Sequence, residues 1–284
     1  MKTALVSLLF TAFAATACGW NAKGGNNAQT NADDFSENSA NDDVDNDVDA
    51  SIDNNASVSA DGLEIPHYES CRGGQIIRHT GYTVSYDADF KTPQWVAWTL
   101  TAEKAHGTAP RYDKFMPDPE VRGAKAYTKD YSNSGYDRGH MAPAGDMKWS
   151  EAAMRESFYM TNVCPQNRNL NRGDWKDLEE LERDWAMRYG SVSIAAGPIY
   201  TSKYPERIGA NKVAVPNAFF KVLLVGYPKA PKAYGFIFKN EAGSRPLTYY
   251  QLTVDEVEAA TGMDFFPTVP EAVQNKIEAE KPSL

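Results

Sequence analysis

Two stretches decide the reading of this chain: YDRGHMAPAGD, Tyr136 to Asp146, and NVCPQNRNLNRGDWKDLE, Asn162 to Glu179. In the first, Arg138 lies two residues before His140, so in an extended chain both side chains fall on one face. An unperturbed imidazole takes up a proton near neutral pH and can deprotonate a water. The planar guanidinium beside it can hold two phosphate oxygens at once and stabilise charge as it develops. A water-activating base and a phosphate clamp are two of the three parts a phosphodiesterase needs.

The third part is a stabiliser for the leaving group, usually a hard cation. There is no HExxH, CxxC or His-rich tract, which argues against zinc. Mg²⁺ keeps most of its waters and needs only one or two protein oxygens. The second stretch is rich in such donors: Asn162, Gln166, Asn167, Asn169, Asn171, Asp174 and Glu179. Apolar groups at Trp175, Leu178, Leu181, Trp185 and Tyr189 repeat at helical spacing, and Gly190 can end that helix. Asn171, Trp175, Glu179 and Arg183 step four apart, which predicts one stripe carrying a metal ligand, a carboxylate and a second phosphate-binding arginine.

The order DRGH, then N-x-x-P-Q, then N-x-G-x-W-x-x-L-E resembles the DNA/RNA non-specific endonucleases of the Serratia-nuclease type, with their ββα-metal core. The resemblance is firm from about Tyr136 to Arg183 and weaker over Trp95–Pro119 and Ala195–Tyr227. It implies a Mg²⁺-dependent endonuclease, with Mn²⁺ able to substitute, that hydrolyses DNA and RNA with little sequence preference. His140 then takes the place of the general base and Asn171 that of the metal ligand. Glu179 matches the carboxylate that orders metal-bound water. Arg138 and Arg183 match the phosphate-contacting arginines, and Asn162 the asparagine that supports the site. Arg111 is a candidate for a further upstream arginine. The family also implies products with 5′ phosphates.

Each of these residues has a plainer reading on its own. Asp137 and Arg138 could be an ion pair in a turn, His140 a core histidine, and Asn171 a helix cap. Glu179 and Arg183 could be an i,i+4 pair on a solvated face. It is the combination that points to an active site, with Asp137 as a structural partner rather than a catalyst. His67, His79 and His106 have no such company and read as structural. Two other functions fit parts of the pattern. One is an envelope-attached nucleic-acid binding or uptake protein with an idle site, and the other a phosphodiesterase for small phosphoesters.

The N-terminus reads as an export signal. Residues 1–18, MKTALVSLLFTAFAATAC, have the charged start and short apolar run of a secretory signal. Cys18 follows small residues, where a lipoprotein signal is cut and acylated, so we expect an exported chain lipid-anchored to a bacterial envelope, or otherwise periplasmic or secreted. An ordinary signal cut near Ala17 is the simpler alternative. Residues 19–62 are Asn, Asp, Ser and Ala with almost no large apolar groups, the composition of a disordered acidic tether. Residues 21–62 hold 10 of the 38 acidic residues; with Lys2 and Lys23 also set aside, 28 acidic and 27 basic residues remain, so the formal charge of −9 belongs to the tether. Acidity is therefore no argument against a polyanionic substrate. In an oxidising compartment the remaining pair, Cys71 and Cys164, is expected to form a disulfide.

The rest, residues 63–284, reads as one α+β domain with a mostly antiparallel sheet flanked by helices. GQIIRHTGYTVSYDADF (74–90) predicts a hairpin, and QWVAWTLTAEKA (94–105) a strand. Residues 111–130 form a basic loop that could guide a phosphate backbone. Ser150 caps a short helix leading into the strand YMTNVC. SVSIAAGPIY, AFFKVLLVGY and KAYGFIFKN predict three more strands, and TVDEVEAATG a helix with a Thr253–Glu256 capping box. Beyond Pro270 the expectation is a frayed helical tail. Nothing in the sequence sets DNA against RNA preference, or monomer against dimer.

Overall fold

The computed structural model describes residues 62–68 and 73–284, which lie in the unit Asp61–Leu284. The expected signal, tether, Cys18 and Cys71 lie outside the described residues. Eleven strands are present among the latter: β1 Gln75–Arg78, β2 Thr83–Asp87, β3 Thr92–Thr101, β4 Asp137–His140, β5 Val163–Gln166, β6 Ser191–Ile199, β7 Arg207–Ile208, β8 Val213–Ala214, β9 Ala218–Val225, β10 Lys232–Lys239 and β11 Gln251–Leu252. Six helices join them: α1 Ala102–Ala105, α2 Glu151–Glu156, α3 Arg168–Arg172, α4 Asp174–Tyr189, α5 Val254–Thr261 and α6 Glu271–Ala279. Seven strands form one sheet in the order β1-β2-β3-β6-β9-β10-β11, every neighbouring pair antiparallel. The expected α+β class with an antiparallel sheet is borne out.

This sheet is covered on both faces, which is why its inner strands read as nearly unbroken apolar runs rather than clean alternations. Successive side chains of β9 still divide between the faces. Phe219, Leu223 and Val225 join Val96, Trp98 and Leu100 of β3 under Trp175, Leu178 and Trp185 of α4. Phe220, Val222 and Leu224 join Trp95 and Ala97 of β3 against Val254 and Val257 of α5 and Ile277 of α6. Each such fully buried side chain contributes about 1.5–3 kcal/mol of hydrophobic stabilisation. The C-terminal segment is thus docked rather than frayed, because Ile277 has apolar surface to bury against this second face.

Other local expectations hold with shifted ends. The 74–90 hairpin forms, as does the Ser150 cap of α2, whose hydroxyl accepts from the Ala153 N–H. Thr253 and Glu256 cap α5 reciprocally. β3 stops at Thr101, whose own side chain caps α1, and YMTNVC supplies only the start of a strand after a 3-10 turn at Met160–Asn162. No helix among the described residues is long and apolar enough to cross a membrane.

β4 and β5 make a separate antiparallel ribbon, followed directly by α3 and α4. Cys164 sits in this ribbon as a free, fully buried thiol, so the expected bridge from Cys164 is not formed. Burial pushes that thiol well above its ordinary range. The helical stripe also needs correction. Gly173 breaks the chain between α3 and α4, with φ and ψ both −113°, and a Cβ there would come within 2.8 Å of the Asn169 carbonyl oxygen. Asn171 therefore belongs to α3, while Glu179 and Arg183 belong to α4. Trp175 is wholly buried in the core.

Candidate active site

The β4–β5 ribbon and the two helices enclose a cleft of about 470 Å³. Arg138 and His140 from β4, Asn171 from α3, and Glu179 and Arg183 from α4 line it together. Arg111, Arg172 and Lys176 add positive charge, so five basic groups face two acidic ones, Asp137 and Glu179. That balance suits a polyanion.

The ribbon's register sets the base. His140 pairs with Val163 and Gly139 with Cys164. A Cβ on Gly139 would lie 2.0 Å from Gln166 Oε1, so the glycine serves the packing of Gln166 against the ribbon. The His140 ring lies between Phe115, at 5.1 Å, and Phe158, at 4.9 Å edge-on. Its Nε2 is buried and has no hydrogen-bond partner among the described residues. Burial, helped by the Arg111 charge, pushes its pKa down to about 3, so the ring is neutral at neutral pH and holds a free lone pair.

Asn162 lies under the site rather than in it. Its side chain is fully buried, accepts from the Ala142 N–H at 2.9 Å, and donates to the carbonyls of Ala142 and Ser157 at 2.8 Å each. Its backbone carbonyl takes the Met141 N–H. Asn162 thus fixes the chain immediately after His140.

Asp137 does a comparable job on the other side. One carboxylate oxygen accepts from Asn171 Nδ2 at 3.2 Å and from Arg172 Nε at 2.8 Å. Burial works against this charge, but the bonds from Arg172 and Asn171 outweigh it and hold the carboxyl below its usual range. With its amide nitrogen so engaged, Asn171 has its carbonyl oxygen left as a ligand atom. Glu179 is half-buried, and burial raises its carboxyl to about 7 despite the neighbouring Lys221. Such a carboxylate gains from a cation placed beside it.

The arginines are anchored differently. Arg138 donates one arm to the Thr128 carbonyl at 2.9 Å and keeps Nε unpartnered among the described residues. The 111–130 loop thereby holds a site arginine. Arg183 donates to Asp146 at 3.0 Å, and the fully buried Asp146 also accepts from the Trp98 indole at 3.0 Å. Arg111 pairs with Asp113 at 2.6 Å and lies over the Phe158 ring.

Sequence reasoning missed Arg172, Lys176, Phe115 and Asp146. The first two looked like ordinary helix-surface charges. Phe115 meets His140 only through the fold, and no local signal marks it. Asp146 could have been found as the acid closing the Pro143–Gly145 turn. Of the remaining histidines, His79 pairs with Asp118 at 2.9 Å and His106 ends α1, in line with structural roles.

A family model of DNA/RNA non-specific endonucleases matches residues 59–272. The mitochondrial nuclease 1 of Schizosaccharomyces pombe is 37% identical over 228 residues, covering 72% of this chain and 70% of that protein. The human mitochondrial nuclease EXOG is 36% identical over 206 residues, but the match spans only 56% of its length. Human mitochondrial endonuclease G is 32% identical and is covered over 70% of its length. A crystal structure of EndoG in complex with EndoGI superposes with a TM-score of 0.67 at 30% identity, covering 73% of this chain and 92% of that one.

Proposed function

Because the chain belongs to the DNA/RNA non-specific endonuclease family, and so to a family of phosphodiester-cutting enzymes, we propose that it is an exported, Mg²⁺-dependent endonuclease acting on DNA and RNA with little sequence preference. The observation that carries this reading is the convergence of a neutral histidine with an unpartnered Nε2, an amide oxygen and a half-buried carboxyl in one basic cleft.

The residues fit a hard cation. Asn171 offers its carbonyl oxygen, Asp137 holds the amide in place, and burial raises the Glu179 carboxyl despite the Lys221, Arg183 and Arg111 charges near it. Mg²⁺, or Mn²⁺ in its stead, would be held there and would stabilise the charge on the phosphate and the departing 3′ oxygen. His140 Nε2 accepts a proton from the attacking water. Its resting basicity is low, and a bound phosphate, being negative, raises it. Arg138 and Arg183 hold the phosphate oxygens, while Arg111, Arg172 and Lys176 extend the grip along the backbone without reading sequence. Asn162 acts through His140 by fixing the chain beside it. The products carry 5′ phosphates.

The N-terminal sequence supports export. Its apolar stretch contains no arginine, unlike the amphipathic Arg-rich leaders of mitochondrial import. Cys18 supplies the acyl acceptor, residues 19–62 the tether, and 63–284 the nuclease domain, so the enzyme sits anchored at the bacterial envelope. Loss of membrane fractionation in Cys18→Ala tests the anchor.

Activity is tested by incubating the purified chain with supercoiled plasmid and with RNA, with and without EDTA. Cutting that stops in EDTA and is absent in His140→Ala supports the proposal. Binding without cutting by the wild type would instead support a nucleic-acid binding protein with an idle site. Faster turnover of small phosphoesters than of polymers would point to the third reading.

A further inference from the structure

On the face of the sheet opposite the cleft, α5 and α6 bring three carboxylates together. One oxygen each from Asp255, Glu258 and Glu278 lies within 4.8 Å of the other two. Asp255 and Glu258 stand one turn apart on α5, so they share a side of that helix. Glu278 reaches them from the last turn of α6.

The burial of Glu278 sets this cluster apart from ordinary surface acidity. The residue is only 5% exposed; Gln274 hydrogen-bonds its carboxyl, but Oε1 has no hydrogen-bond partner among the described residues. Buried carboxylates are normally paired or bound to a metal. None of the three makes an ion pair with lysine or arginine among the described residues. Glu278 also sits at the C-terminal end of α6, where the helix dipole opposes a negative charge. Glu258 satisfies part of its own demand by accepting from the Phe265 N–H at 2.8 Å.

We propose that Asp255, Glu258 and Glu278 form a binding site for a hard divalent cation of the calcium type, one that ties α6 to α5. Ca²⁺ binds oxygens at about 2.3–2.6 Å, so two ligands of one ion lie up to about 5 Å apart. The measured spacing falls inside that limit. Ca²⁺ also tolerates an irregular set of carboxylates completed by water, whereas Mg²⁺ demands a near-ideal octahedron. Water has access, because Asp255 is exposed and a cleft of about 510 Å³ opens beside Asp255 and Glu258. Without a cation, burial and the adjacent Glu258 push the Glu278 carboxyl up to about 8. The bound ion replaces that proton.

The test uses the full chain stripped with EDTA and dialysed. Calorimetric titration with CaCl₂ and thermal unfolding in 10 mM CaCl₂ or MgCl₂ are measured for wild type, Glu278→Gln, Asp255→Asn and Asn171→Ala. A site with a dissociation constant of about 10⁻⁴–10⁻³ M raises Tm by roughly 3–11 °C at that concentration. The expected calcium shift appears in wild type and Asn171→Ala and vanishes in Glu278→Gln and Asp255→Asn. Glu278→Gln should fold normally, since its amide replaces a group that otherwise holds a proton, and should cut plasmid in Mg²⁺ at the wild-type rate. Absence of calcium binding by the wild type overturns the proposal. So does a shift kept by Glu278→Gln but lost by Asn171→Ala, which places the ion in the active-site cleft.

Discussion

The two faces of the central sheet are built from the same strands by the same alternation, yet their contents differ. On the α5/α6 face β9 contributes only apolar side chains, Phe220, Val222 and Leu224. On the α4 face the alternation reaches Lys221, a lysine with no exposed side-chain surface in the middle of a strand. Its ammonium lies 2.8 Å from Glu182 of α4, itself fully buried, and 4.2 Å from the centre of the Trp175 ring. Asp146 and Trp98 continue this buried polar layer toward Arg183. A buried ion pair is weak grounds for stability, since desolvation can cancel its attraction. Its position beneath Glu179 and Arg183 is more telling. One face serves stability alone, and the other also supports charge at the cleft.

The comparison can be broken most easily from the apolar side. Phe265→Ala should lower unfolding free energy by about 3–5 kcal/mol in urea titration. Its cleavage rate per folded molecule should stay unchanged, and a large fall in rate would erase the distinction between the faces.

On the other face, Lys221→Met strands Glu182 without its partner. The loss should be roughly 3 kcal/mol at pH 9, where the wild-type Glu182 is charged and the variant must bury an unpaired ion or hold a proton in its place. Burial already raises the Glu182 carboxyl to about 8, and without Lys221 it rises further. The loss should therefore shrink at pH 6, where Glu182 takes up a proton. The double variant Lys221→Met/Glu182→Gln should recover most of it. A loss independent of pH and of Glu182 would show that packing alone matters there.

Asp137→Asn probes the support of the cleft itself. It weakens the hold on Asn171 and Arg172 and should raise the Mg²⁺ concentration for half-maximal cutting about 10-fold. An unchanged midpoint would remove Asp137 from the site's architecture.

The last effect concerns acid. His140 titrates near 6.5 unfolded and about 3 folded, so the unfolded chain binds its proton first as pH falls. This group's contribution to stability is complete above pH 6.5 and is lost progressively between 6.5 and 3. His140→Gln should flatten that part of the stability–pH curve, and a curve of unaltered slope would contradict the burial assigned to the ring.

How much of this was legible depends on the range of the interaction. Strands β6, β9 and β10 and helix α5 were readable because local periodicity and caps such as Thr253–Glu256 determine them. Arg138, His140, Asn171, Glu179 and Arg183 could be picked out as candidates because spaced polar residue types carry chemistry, and the fold gathers them into one cleft. The single stripe failed because helical spacing does not register the break at Gly173. The disulfide failed because redox compartment says nothing of where a cysteine side chain is buried. Phe115, Asp146 and the Lys221–Glu182 pair meet across 25 or more residues of sequence, and nothing local announces them.

The central claim is that His140 performs proton transfer while Asn171 serves the cation. Plasmid-cleavage rate measured against Mg²⁺ concentration for wild type, His140→Ala and Asn171→Ala separates the two roles. His140→Ala should lower the plateau about 10²–10⁴-fold and leave the midpoint in place, whereas Asn171→Ala should move the midpoint to higher Mg²⁺. A wild-type plateau in His140→Ala would contradict the claim outright.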